Sequence, residues 1–442
     1  MSFTDPRLMA ESLSRAVAAH VDEFVVSVDI VDSVMVKYAN GEISVTQSWR
    51  DYVVGAYMTK GGRISMSTYT TSDPGEAIKA TIPLIDKLAP SPFHAPLPQP
   101  GGSPLSSVDS KIREASLSGD PGGIVEEVDV RGHGNVAGMI LLKYSRNHYI
   151  GSNGLDMGYE VTKFNGYFRV FKGEESGQWA WVSTAYEPRL ALKSLEKAWE
   201  LASLCYSLPK VKVESGKYRV LLSPMVAGNL LEDVASAASA GSAIMGLSFL
   251  QGRKPGDVIA SEKLTLKEVP RAENMPGLRG FDDEGVATRD KSIIERGVFK
   301  GFIHNTKTAR LMNAESTGNA GWLMPRLFNL EVDPGTLEEG ELLEVLGNGI
   351  YATNNWYTRF QNYLEGSFST VTRDALIVVE NGKPSGCYRR ARLTGTLPKL
   401  IESVEELSRE RWPIEWWEVS IPTLLPHMLV SEMGVTAATS PS

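Results

Sequence analysis

Residues 216–241 read GKYRVLLSPMVAGNLLEDVASAASAG. Tyr218–Leu222 reads as a short strand, and Ser223-Pro224 marks the helix start that follows it. The Ser223 hydroxyl can accept from a free backbone N–H, and Pro224 suits the first helical position because no N–H is needed there. Val226, Leu230, Leu231, Val234 and Ala238 repeat at helical spacing, and Gly241 is a plausible stop. Glu232 and Asp233 lie in mid-helix beside this apolar stripe. They offer hard oxygen donors for a Mg²⁺-type ion. The simpler reading has one facing solvent and the other pairing locally, since charged residues are rarely buried alone.

Composition narrows the function around that helix. The chain has 442 residues, enough for two substantial cores, with 42% hydrophobic and 22% charged residues. Its 45 Lys and Arg against 53 Asp and Glu give a net charge of −8, and no basic cluster opposes that balance. Nucleic acid is therefore not expected as a partner. The opening MSFTDPRLMAES lacks the pattern of a secretory signal, and no run is long enough to span a membrane. Cytoplasmic is the expectation. Two cysteines, Cys205 and Cys387, exclude a disulfide framework and a four-cysteine zinc site.

The first half alternates helix and strand patterns. Residues 5–20 form an amphipathic helix, then strands are expected at Glu23–Asp29, Val34–Ala39, Glu42–Ser48 and Tyr52–Thr59. Asn40-Gly41 and Gly61-Gly62 supply the turns. A helix is expected from Asp73 to Leu88, then an extended crossing at Pro90–Pro104 with six prolines. Further strands are read at Gly123–Val130, Val136–Tyr144, Glu160–Tyr167 and Trp179–Ala185, before a long helix at Pro188–Leu204. The best boundary lies at 208–216. The second half is β-rich, with hairpins at Arg296-Gly297 and Asn381-Gly382, helices at Thr306–Met312 and Leu397–Leu407, and a disordered tail from Thr436. The fold class is α+β. An N-terminal α/β domain (1–207, antiparallel or mixed sheet, the 90–104 loop internal) precedes a C-terminal barrel-like antiparallel β domain with helices (208–442).

Few constellations could carry chemistry. No two of the six histidines are three to five residues apart, so no helix presents a two-histidine metal face. Phe281-Asp282-Asp283-Glu284-Gly285, flanked by Arg279 and Arg289, is either an orienting acidic loop or a turn whose carboxylates bond the local backbone. No nucleophile elbow occurs, and Cys387 reads as a buried or inert thiol. Trp356, Tyr357, Arg359, Phe360 and Asn362, and later Trp412, Trp416 and Trp417, either line a groove or interface or fill the core.

An ordered set of blocks resembles the TldD/PmbA peptidase family, in its TldE (PmbA) branch. The blocks are Ser152-Asn153-Gly154 with Gly158–Thr162, Leu222-Ser223-Pro224 with Ala227-Gly228, Ser248-Phe249-Leu250 leading to Ile259-Ala260-Ser261, Phe281–Arg289, Gly297–Gly301, and Ser316–Ala320. Where the TldD half carries His-Glu-x-x-x-His, this frame reads Glu232, Asp233 and Ala237 at its three defining positions. The resemblance implies that this chain holds no zinc or other cofactor and no catalytic residue. Zinc is expected in a TldD-like paralogue that pairs with it, or the chain pairs with itself. It further implies that such pairs degrade or process unstructured peptides. Members are grouped with metallopeptidases and also described as modulators of DNA gyrase. Two departures stand out: a glycine usual after Gly366–Ser369 is replaced around Arg373-Asp374-Ala375, and the TldD zinc cysteine has no counterpart, because Cys387 falls in another strand. The readings that remain are a non-catalytic subunit of a heteromeric peptidase, a peptide-binding scaffold homodimer, and an autonomous hydrolase with an unrecognised site.

Overall fold

Hairpin chemistry builds the first half. The computed structural model describes residues 5–437. Six strands, β1 (Glu23–Ala39), β2 (Glu42–Lys60), β3 (Arg63–Tyr69), β4 (Asn135–Gly151), β5 (Asp156–Lys172) and β6 (Glu175–Ser183), form one antiparallel sheet in the order β3-β2-β1-β4-β5-β6. Asn40, Gly41, Gly61 and Gly62 all have positive φ at the expected turns. Between 23 and 59 the sequence reading gave four strands where the structure has two. Residues 30–33 fall between two expected strands, yet β1 runs through them. Asp32 is tolerated inside the sheet because Arg50 and Arg146 meet its two oxygens at 2.6 and 2.7 Å.

Helix α1 (Pro6–Ala18) covers one face of this sheet, and α2 (Gly75–Thr81) joins it. The helix expected to Leu88 passes into a 3₁₀ turn at Ile82–Lys87, where Pro83 cannot supply the α-helical donor. Two helices follow the proline-rich crossing, α3 (Ser110–Ser118) and α4 (Gly122–Glu127). The second replaces the strand expected at Gly123–Val130. Asp120 accepts from the Gly122 N–H and opens the turn, so two β-branched residues did not make a strand. Helix α5 (Pro188–Ser207) lies against β6, where Gly177 is required: a Cβ there would sit 2.3 Å from the Ala198 carbonyl oxygen.

The second half is one sheet of thirteen strands. They are β7 (Gly216–Leu222), β8 (Leu266–Glu268), β9 (Lys291–Glu295), β10 (Val298–Phe299), β11 (Leu330–Val332), β12 (Gly349–Ala352), β13 (Asn355–Asn362), β14 (Ser367–Thr372), β15 (Leu376–Glu380), β16 (Lys383–Tyr388), β17 (Ala391–Thr396), β18 (Val404–Trp416) and β19 (Val419–Ala437). Strand β19 pairs with β7, β11, β17 and β18. The pairs β11·β19 and β7·β12 are parallel and the rest antiparallel, so the sheet is mixed. Helices α6 (Pro224–Ala237), α7 (Ala240–Ile244), α8 (Thr306–Met312), α9 (Glu339–Leu346) and α10 (Leu397–Glu402) pack around it. The helix expected over Leu397–Leu407 stops at Glu402, because Val404 pairs with Val430 and starts β18. Thr436 and Ala437, read as disordered, complete β19 opposite Arg392 and Ala391, and the rest of that tail lies outside the described residues.

The apolar core does not stop between the two sheets. One cluster runs from Val36, Phe164 and Trp181 through α5 to Leu222, Leu230 and Leu429. Cys205 of α5 and Cys387 of β16 form a disulfide across the same junction, with Cα atoms 5.4 Å apart. This corrects the reading of Cys387 as an inert thiol. A pairing across 182 residues leaves no local spacing to read. The proline-rich crossing lies on the second sheet's loops: the Gly101 and Gly102 N–H groups both donate to the Gly285 carbonyl at 3.0 Å.

Candidate functional site

Helix α6 forms as its sequence requires. The Ser223 hydroxyl accepts from the Val226 N–H and donates to the Thr353 carbonyl at 2.6 Å, and Pro224 is the first helical residue. Met225, Val226, Leu230, Leu231 and Val234 are buried. The helix ends at Ala237 rather than running to Gly241, and α7 restarts at Ala240 after a turn at Ser239.

The three frame positions have different environments. Glu232 is taken up by the start of β19: Ser420 and Ile421 donate their N–H groups to it at 2.8 and 3.2 Å, and the Ser420 hydroxyl donates to its other oxygen. Burial raises its pKa, opposed by those hydrogen bonds. Asp233 forms no hydrogen bond among the described residues and faces a cavity of about 260 Å³, walled by Ser236, Ala237, Phe249, Phe360 and Tyr363. Burial, with the Glu232 charge beside it, pushes its carboxyl up to about 7. Ala237 presents a methyl group to the same space.

This donor set does not fit zinc. One carboxylate is consumed by the start of β19, one stands alone, and the third position has no donor atom, whereas zinc sites use three or four N, S or O ligands. Among the described residues, the one group of three close ligand types is Glu175, Cys205 and Cys387, whose sulfurs are joined to each other. The buried histidines serve the core: His427 contacts Tyr351 Oη at 3.0 Å, with burial lowering it to about 4.

The raised Asp233 pKa makes a testable statement. An acid whose folded pKa exceeds its unfolded value costs stability as pH rises between the two. Asp233→Asn will therefore stabilise the fold by on the order of 1–3 kcal/mol above pH 7, with the gain fading toward pH 4. Thermal melts across that range check it, and a gain of equal size at pH 4 and pH 8 refutes the assignment.

The acidic loop is not a surface turn. Asp282, Asp283 and Glu284 are all buried. Lys307, at the start of α8, meets Glu284 at 2.5 Å, and Arg279 meets Asp283 at 3.0 Å. Asp282 accepts from the Glu284, Val286 and Ala320 N–H groups, while burial and Glu284 raise its pKa to about 7. Asn153, from the first half, donates to the Pro98 and Glu284 carbonyls at 2.6 and 3.2 Å, so the loop locks the two halves together. The local sequence showed the acidic residues near a turn and Arg279 as a flanking cation, which the pair with Asp283 bears out; the remote partners Lys307 and Asn153 had no sequence signal.

The aromatic clusters divide. Trp412 and Trp416 are core residues, which removes them from any surface role. Trp417 is 89% exposed at the β18–β19 turn, and Trp356 and Tyr357 are also exposed nearby, with the Tyr357 N–H donating to Glu418 of that turn. Trp417→Ser should leave the unfolding free energy, read from denaturant melts, within about 0.5 kcal/mol of the native chain; a larger loss would show that the indole packs against the fold. Phe360 turns inward to the Asp233 cavity, whereas Arg359 stacks on Tyr357 with its guanidinium 4.0 Å from the ring centre.

Comparison with known proteins places this arrangement. The family model for the PmbA/TldA metallopeptidase C-terminal domain matches residues 215–437, half of the chain. The chain belongs to the TldD/PmbA family. Among curated relatives, a metalloprotease of Methanocaldococcus jannaschii is 28% identical over 222 residues, covering 49% of each chain. A metalloprotease TldD homologue of Haemophilus influenzae is 26% identical over 204 residues, covering 45% of this chain and 42% of its own. The matches thus span about half the length of these relatives. The crystal structure of TldE from Thermococcus kodakarensis superposes with a TM-score of 0.83 at 20% identity, over 96% of this chain and 99% of that one. A candidate modulator of a DNA gyrase from Thermotoga maritima gives a TM-score of 0.79 at 21% identity, over 96% and 99%. These likenesses show the α+β family fold over nearly the whole chain. Among the described residues, no helix of this TldD/PmbA member is long and apolar enough to cross a membrane.

Proposed function

We propose that this chain is the TldE-like, non-catalytic subunit of a cytoplasmic TldD/TldE-type peptidase acting on unstructured peptides. The state of the α6 frame carries the proposal: Glu232 is committed to the start of β19, Asp233 stands alone beside an apolar cavity, and Ala237 offers no ligand. Zinc then resides in a TldD-like paralogue, and this chain supplies walls to the peptide chamber. The cavity with Phe249, Phe360 and Tyr363 suits apolar side chains of an extended substrate better than hydrolytic chemistry. Exposed Trp417, Trp356 and Tyr357 offer the side-chain types enriched at interface centres. They favour, as a second reading, a peptide-binding homodimer without turnover.

Elemental analysis and peptide turnover decide between these. The chain alone should hold no stoichiometric zinc and cleave no unfolded peptide; mixed with a paralogue carrying His-Glu-x-x-x-His it should yield chelator-sensitive cleavage. One tightly held zinc per chain, or turnover by the chain alone, would overturn the proposal. No gain on mixing leaves the homodimer.

A further inference from the structure

A second cavity, of about 420 Å³, opens at the junction of the two sheets. The β5–β6 hairpin lends it Arg169, Glu174 and Glu175; the second half lends it Trp356, Arg373, Asp374, Arg389 and Arg390. Its lining thus holds four arginines and three carboxylates in a chain whose net charge is −8.

Pairing uses up only part of that positive charge. Arg169 Nε donates to Asp374 at 2.6 Å, and the same carboxylate accepts from Ser176 and Asn354, each at 2.7 Å. Arg389 meets Glu174 at 3.2 Å and donates to its carbonyl at 2.8 Å. Glu175 is met by Lys210 at 3.2 Å. All three carboxylates are then matched. Arg373 is left with a carboxylate oxygen of Asp374 only at 3.9 Å, forms no side-chain hydrogen bond among the described residues, and lies 5.7 Å from the centre of the Trp356 ring. Burial disfavours its charge more than the nearby Asp374 carboxylate supports it, with Arg169 adding to the burial effect, and a bound anion would relieve this. Arg390 has no ion-pair or hydrogen-bond partner among the described residues. The backbone at the cavity floor is held in an uncommon shape, with Asp374 at φ +62°. Positive φ in a non-glycine residue gathers at binding sites more than elsewhere, here beside two arginines that lack acceptors.

From this geometry we propose that the cavity binds the carboxylate of a peptide, with Arg373 and Arg390 as its cationic anchors and Trp356 as the apolar wall beside them. A planar guanidinium takes a carboxylate through two parallel hydrogen bonds, and a flat indole covers the adjoining peptide. Either a chain end or an acidic side chain supplies the carboxylate. The site deepens the peptide-processing role and rests on it for the nature of the ligand.

Calorimetric titration of this chain alone tests it with three five-residue peptides: a neutral one blocked at both ends, the same with a free C-terminus, and a blocked one with a central glutamate. At least one carboxylate-bearing peptide should bind tenfold or more tightly than the neutral one, and the free-end and glutamate arms tell which source is read. Arg373→Met with Arg390→Ser should remove that preference, and Arg390→Ser alone should reduce it without changing the melt. Equal binding of all three peptides, no binding, or a preference that survives in the variants overturns the site. Should the double variant fail to fold, Arg390→Glu, at an exposed position, decides by itself. Neither the paralogue nor turnover enters the measurement, so a failure here leaves the subunit assignment standing, and a failure of turnover leaves this site standing.

Discussion

Replacing Lys307 by methionine will cost about 3–5 kcal/mol of folding stability, although the residue lies outside the α6 cavity and the arginine-lined one. Its ammonium is fully buried 2.5 Å from Glu284 and lies 4.4 Å from the centre of the Tyr57 ring. Glu284 also accepts from the Thr306 N–H at 3.0 Å, and Asp282 and Asp283 are its neighbours. Methionine fills much the same volume, so the loss will come from an uncompensated carboxylate and not from a void. Pairing Lys307→Met with Glu284→Gln should recover a good part of it, since glutamine keeps an acceptor for Thr306 without the charge. Urea midpoints of the two single variants and the double variant measure the coupling. A Lys307→Met chain within 1 kcal/mol of the parent, or a double variant no better than the single, refutes the assignment.

Asp374→Ala comes next in size, again about 3–5 kcal/mol. The carboxylate accepts from Arg169, Ser176 and Asn354, tying the first sheet to the second, and its backbone is left-handed. Alanine loses the bonds and also strains the backbone by about 1–2 kcal/mol. Asp374→Gly loses the bonds but removes the strain. The unusual result expected is that glycine will be more stable than alanine by roughly 1 kcal/mol, the reverse of an ordinary position. An alanine variant as stable as the glycine one would show that the conformation is not enforced.

That residue also explains one departure from the family pattern. The glycine expected near Arg373-Asp374-Ala375 is replaced, and Asp374 keeps the positive φ by bonding its side chain on three sides. Much of the fold was legible because it rests on local chemistry. The cap at Ser223, the turns at Asn40-Gly41 and Asn381-Gly382 and the helix at Thr306–Met312 are decided within a few residues. Where the reading failed, a remote partner had decided. Asp32 sits inside a strand because of Arg50 and Arg146, Cys387 finds Cys205 across the junction, and Asp282–Glu284 are held by Lys307 and Asn153 as well as by the flanking Arg279 that the sequence displays. The candidate site divides along the same line. Glu232, Asp233 and Ala237 are a local frame that the sequence displays, whereas the cavity beside them is assembled from three separate segments. Phe360 was singled out as part of an aromatic cluster, but no spacing gave its direction.

The pairing of β19 sets a clock on biosynthesis. Strand β7 precedes α6, yet one of its neighbours, β19, is encoded on the order of 200 residues later, and β11, β17 and β18 wait for the same strand. At 5–20 residues per second the ribosome needs roughly 10–40 s to bridge that gap. During that interval the edge of β7 and the apolar underside of α6 have no cover from β19. The first sheet, whose six strands all lie before residue 184, can close meanwhile. Nascent chains halted after β17 should therefore present a folded first half and a protease-sensitive second half, and the second half is the segment for which a chaperone would be needed.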